Sequence, residues 1–101
     1  MGHKVVDNLT LERWRRLDSV ALLRALAIHM AQDAQFKPRA NPKTTRWHAN
    51  VADRDYEFLC TGPKFHDSRA QCGGGGAVDL VMHLFELDFK GAVAFLKGKG
   101  L

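Results

Sequence analysis

Cysteine is scarce in this 101-residue sequence: Cys60 and Cys72 are the only two, too few for a disulfide framework. The first residues show no signal-peptide pattern, so the expected compartment is the cytoplasm and both thiols are expected to be reduced. Long apolar runs are also missing. The stretch from Val20 to Met30 is broken by Arg24 and His29 and stops short of the ~20 residues a membrane span requires, so no membrane partner is expected. Paired metal-ligand spacings are absent as well: there is no C-x-x-C, C-x-x-H or H-x-x-x-H. Cys60, His66, Cys72 and His48 could supply zinc ligands only without the close pairs that structural sites use, so neither metal nor cofactor is expected. Nor does Gly-Lys-Ser or Gly-Lys-Thr follow the glycine run, which argues against an ATPase phosphate loop. A Cys–His catalytic pair has no support beyond the chance pairings that two cysteines and five histidines allow.

What is present describes one domain spanning residues 1–101, with ragged termini at 1–7 and 98–101. Hydrophobic residues make up 46% and charged residues 26%, and a net charge of +4 favours an anionic partner. Asn8 is placed to cap a short helix with Leu11, Trp14 and Leu17 along one side. Asp18-Ser19 opens a second helix, with Leu23, Leu26, Ala27 and Met30 at helical spacing. From Gln35 to Thr45 the chain turns basic and loses its apolar period, which reads as an exposed loop.

Alternation then predicts strands. Trp47, Ala49 and Val51 share one face of the first, Tyr56, Phe58 and Cys60 one face of the second, and a third runs from about Lys64 to Asp67. Gly73 to Gly76 lead into a helix reaching Glu86, with Asp79, His83 and Glu86 as its polar stripe. Asp88 caps a last helix carrying Phe89, Ala92, Val93 and Leu96, after which the chain frays. The expected fold is α+β: a small three-stranded antiparallel sheet flanked by N-terminal and C-terminal helices.

Two basic groups stand out. Lys37, Arg39, Lys43 and Arg46 run without an acidic residue into Trp47 and His48, and Lys64, Phe65, His66 and Arg69 follow nearby in the meander. Cations offset phosphates and open rings stack on unpaired bases, so Lys37, Arg39, Lys43, Arg46, His48, Lys64, His66 and Arg69 form the candidate nucleic-acid face. Trp47 is expected in the core; Phe65 has few apolar neighbours and stays open in either direction. Gly74 and Gly75 join the candidate set because unpartnered amides at a helix start can seat a phosphate. The other reading is that these glycines only let a strand pack tightly against a helix. Asp79, in the first turn, is read as satisfying helix amides in preference to binding metal.

Lys64-Phe-His-Asp, the run Gly73 to Leu84 (Gly-Gly-Gly-Gly-Ala-Val-Asp-Leu-Val-Met-His-Leu) and Asp88-Phe-Lys-Gly-Ala-Val-Ala-Phe-Leu together resemble the N-terminal zinc-binding domain of bacterial-type primases. The resemblance covers about Trp47 to Leu96. It is closer still to metal-free relatives that precede a toprim domain in primase-like proteins of plasmids and integrative elements. It implies a zinc-ribbon-like fold in which the family's Cys-x-x-His pair is reduced to His48 at most, and its Cys-x-x-Cys pair to Cys72. Such a domain would rest on a core of Trp47, Phe58, Val78, Met82, Phe85 and Val93 and engage single-stranded DNA (or a DNA/RNA strand) in replication or mobile-element transfer without catalysing anything. A toprim primase domain or a helicase would be its protein partner. A module docking such a partner through a patch near Trp14 or Phe36, without contacting nucleic acid, is the alternative. Metal-free folding carries a test: a strong chelator should leave the thermal midpoint unchanged, Cys72→Ser should be tolerated and Cys60→Ser should cost more.

Overall fold

A computed structural model describes residues 7–101. Its order is α1 (Asn8–Arg16), α2 (Ser19–Leu26), β1 (His29–Gln32), β2 (Thr45–Val51), β3 (Arg54–Thr61), β4 (Lys64–Asp67), β5 (Cys72–Gly74), α3 (Ala77–Phe85) and α4 (Phe89–Gly98). The strands form a five-stranded antiparallel meander in the order β1-β2-β3-β4-β5. The class is α+β, but the three-stranded sheet is overturned because a strand is added at each edge.

Each addition has a physical cause. Leu26 and Met30 keep helical spacing, yet α2 ends at Leu26, and the Ile28 amide donates to the Asn50 carbonyl at 2.8 Å. Met30 then pairs with Ala49 in the sheet. The free edge of β2 outcompetes helix propensity, which is worth only tenths of a kcal/mol per residue. At the other edge, β5 is Cys72-Gly73-Gly74, a composition with poor strand propensity. Gly73 is required there: a Cβ at this position would lie 2.3 Å from the Phe65 carbonyl oxygen. The glycine run therefore lets two backbones approach closely.

The helix ends follow side-chain chemistry. Asp7, one residue ahead of the expected Asn8, caps α1 by accepting from the Thr10 amide; Asp18 and Asp88 cap α2 and α4 in the same way. The Gly100 and Leu101 amides donate back to the Lys97 and Leu96 carbonyls, with Gly100 at φ 74°, so α4 closes in a Schellman turn. Arg13 donates to the Leu101 carbonyl at 2.8 Å and ties that turn to α1. Residues 1–6 of the expected ragged N-terminus lie outside the described residues. Among those described, no helix is long and apolar enough to cross a membrane.

One face of the sheet packs on the helices and the other stays open. Trp47, Ala49, Val51, Tyr56, Phe58, Cys60 and Phe65 are buried against Trp14, Leu22 and Leu23 and against the inner positions of α3 and α4. Phe65 thereby belongs to the core, edge-on to Phe58 at 5.9 Å between ring centres. The expected core is right at Trp47, Phe58 and Val93 and shifted by one position in α3. That helix buries Ala77, Leu80, Val81 and Leu84, whereas Val78, Met82 and Phe85 are only partly covered, Phe85 stacking on Phe95 of α4 at 4.6 Å.

Candidate nucleic-acid interface

Strand alternation sends Arg46, His48, Glu57, Leu59, Thr61, Lys64 and His66 to the face opposite the helices. Register aligns them across the strands. His48 lies opposite Glu57, Leu59 stands between Arg46 and His66, and Thr61 pairs with Lys64. Lys64 and His66 are exposed on the short β4.

Glu57 organises this face. Its carboxylate lies 3.7 Å from the Arg46 guanidinium, 3.1 Å from the His48 ring and 3.7 Å from Arg69, which reaches over from the turn after β4. Asp55 stands 3.5 Å from the other ring nitrogen of His48. At partly exposed positions such pairs contribute little stability; what they do is gather Arg46, His48 and Arg69 around one carboxylate. Among the described residues, Lys37, Arg39, Lys43 and Lys64 have no carboxylate within ion-pair distance.

The basic loop between β1 and β2 curls over the end of the same face. Phe36, Lys37, Arg39 and Thr44 share a concavity with Leu59, of about 330 Å³, and the Thr44 hydroxyl bonds that of Thr61 at 2.7 Å. The structure thus brings Lys37, Arg39, Arg46, His48, Lys64, His66 and Arg69 to one side of the sheet. Lys43 is exposed in that loop, its amide donating to the Asn41 side chain.

Gly74 and Gly75 lie elsewhere. A Cβ on Gly74 would come within 2.5 Å of the Asp79 Cβ and 2.9 Å of the Phe65 ring, which puts it on the helix side of the sheet. The Gly75 amide donates to the Asp79 carboxylate at 3.1 Å, so the protein's own anion fills the place a phosphate would take. Asp79 does here what its position in the sequence suggested.

The histidine and cysteine placements are likewise clear. Cys60 points into the core, 2% exposed, and burial pushes its thiol up, while His48 and His66 sit on the open face. Among the described residues no group of three or more His, Cys, Asp or Glu side chains is arranged to hold a metal ion. A cluster that sequence spacing did not suggest forms instead at the end of the sheet. The exposed Cys72 thiol lies 3.5 Å from His83 Nδ1, and His83 Nε2 lies 2.7 Å from Asp67 Oδ2. These contacts join residues 11 and 16 positions apart, and only the alignment of β4 and β5 beneath α3 reveals them. The one local signal was the place of His83 in the narrow polar stripe of a mostly apolar helix.

Over 46 residues the chain is 58% identical to a protein described only as "65 kDa protein" from Zymomonas mobilis. The match covers 44% of this chain and 8% of that much longer protein. No family model and no solved structure matches the chain.

Proposed function

We propose that this domain is a non-catalytic nucleic-acid-binding module of a primase-like protein, holding single-stranded DNA by its phosphates in replication or mobile-element transfer. One observation carries the reading: the face without helices gathers Arg46, His48, Lys64, His66 and Arg69, with Lys37 and Arg39 at its end. Arginine and lysine so displayed offset phosphate charge regardless of sequence. Stacking contributes little in this reading, because Trp47, Tyr56, Phe58 and Phe65 are all buried on the helix side, which leaves the half-buried Phe36 at the end of the open face. Affinity then comes from charge, with little preference among bases.

Titration of a labelled oligothymidylate by fluorescence anisotropy tests this. Binding at low salt should weaken steeply as salt rises, with a log–log slope of about −3 if roughly four phosphates are contacted on a single strand. Arg46→Glu and Lys64→Glu should abolish it. Glu57→Gln should tighten it a few-fold by removing the carboxylate among the cations. No binding at low salt would sink the proposal.

The alternative, a docking module for a toprim domain or helicase, has two places to dock: the Trp14 ring is buried, but with Leu11, Arg15 and the 46%-exposed Phe89 it lines a cavity of about 420 Å³ between α1 and the start of α3. Phe36 is half-buried in the loop concavity beside Leu59.

A further inference from the structure

The Cys72, His83 and Asp67 cluster is arranged for proton transfer. Asp67 is 3% exposed, and its Oδ1 accepts from the Arg69 and Ala70 amides, both at 3.0 Å, leaving Oδ2 for the histidine. Burial raises its pKa, but the Ala70 amide, His83 and the Arg69 amide together hold it below the ordinary carboxylate range. An ionised carboxylate only accepts, so His83 Nε2 carries the proton and donates it to Asp67. In the neutral ring Nδ1 is then an acceptor, and it is the atom that faces the Cys72 thiol.

The ring is also held in place. Tyr56, Phe58 and Phe65 lie 6.0, 6.2 and 5.8 Å from it, centre to centre, which limits its rotation. The titratable groups recorded around it are Asp67, Cys72 and Tyr56, whose hydroxyl donates to the Leu84 carbonyl. Because the two ring nitrogens serve different partners, the three side chains cannot share one metal ion. They can pass a proton along a line.

We propose that Cys72, His83 and Asp67 form a thiol-exchange site that takes up low-molecular-weight disulfides. His83 Nδ1 accepts the Cys72 proton as Sγ attacks one sulfur of the disulfide. The S–S bond of the reagent breaks, a mixed disulfide forms on Cys72, and the departing thiolate takes the proton from His83. The reagent is the oxidant, one half of it being released as free thiol. Disulfides suit the site better than esters or thioesters. Attack on sulfur creates no oxyanion to stabilise and needs only an open approach to an exposed thiol, whereas the nearby Gly75 amide is already committed to Asp79. Cys60 is buried and cannot resolve the product, so the mixed disulfide persists until an external thiol removes it.

Oxidised glutathione is the probe, with the adduct located by peptide mass spectrometry and its rate compared with that of N-acetylcysteine at pH 7. Cys72 should take up one glutathione, Cys60 none, and the reaction should run roughly tenfold or more faster than with the free thiol, a modest part of the ~10²–10⁴-fold that a positioned base can contribute. His83→Gln, with the fold checked by circular dichroism, should bring the rate down to that of the free thiol. Asp67→Asn tests positioning: Oδ1 must keep accepting from two amides, so the new amide nitrogen faces Nε2 and drives the ring proton onto Nδ1. Nitrogen chemical shifts of His83 should report that switch, together with the same loss of rate. A wild-type rate no greater than that of N-acetylcysteine, or a His83→Gln rate equal to wild type, would overturn the proposal.

Discussion

Gly73→Ala is expected to unfold the outer edge of the sheet, whereas Gly75→Ala, two residues on, should leave the protein intact. The new methyl at position 73 would lie 2.3 Å from the Phe65 carbonyl oxygen and 3.1 Å from the His66 Cα, both backbone atoms with no rotamer to escape into. Relief requires β4 and β5 to separate, which also removes the support beneath His83. We expect a loss of about 3 kcal/mol or more, the upper range for overpacking, and a thermal midpoint lower by roughly 10–25 °C. At Gly75 an added Cβ meets nothing within 4 Å. Alanine there reduces the freedom of the unfolded chain and should be neutral or stabilising by up to about 1 kcal/mol. Thermal melts of the two variants decide the matter; equal midpoints would mean that β5 does not pair with β4 as described.

Asp67→Ala should be nearly as damaging, and its cost should depend on pH. The substitution strands three donors at once, the Arg69 and Ala70 amides and His83 Nε2, where the carboxylate is 5% exposed. Leaving such donors without a partner costs about 1–3 kcal/mol each when fully buried, and because these are only part-buried the total loss should be about 2–3 kcal/mol, a large share of the 5–15 kcal/mol typical of a small domain. Because the folded-state pKa of Asp67 lies below its unfolded value, its ionisation stabilises the protein fully above the unfolded carboxylate value of about 3.9. That contribution is lost as the pH falls through the lower, folded-state value. Urea midpoints of wild type and variant should therefore be far apart at neutral pH and draw together in acid. A gap that stayed constant down to the acid limit would show that the ionised form contributes nothing.

The parts of this fold visible in the sequence are those in which one element buries one face by itself. Trp47, Ala49 and Val51 alternate because only one side of β2 meets the helices, and Asp88 announces α4 because capping is a local bond. The parts that stayed hidden depend on partners far along the chain. Ala27 carries no stop signal, so the switch from α2 to β1 follows from the vacant edge of β2. Cys72-Gly73-Gly74 looks like loop by composition and becomes strand only beneath the backbone of Phe65 and His66. The basic face divides in the same way: its cations are legible in order, but the central place of Glu57 among Arg46, His48 and Arg69 needs the register of three strands and a turn. The pairing of His83 with Asp67 likewise joins a helix to a strand end, and neither residue signals the other.

The sheet keeps its longest strands inside, β2 with seven residues and β3 with eight, and ends on β1 with four and β5 with three. An unpaired strand edge is a template onto which another chain can add, and its reach grows with its length. Here each border offers only a few backbone donors and acceptors, and one of them is built largely of glycine. Growth of a continuous sheet from one molecule to the next has little to grip at either border, so strand addition is disfavoured by the order in which long and short strands are laid down.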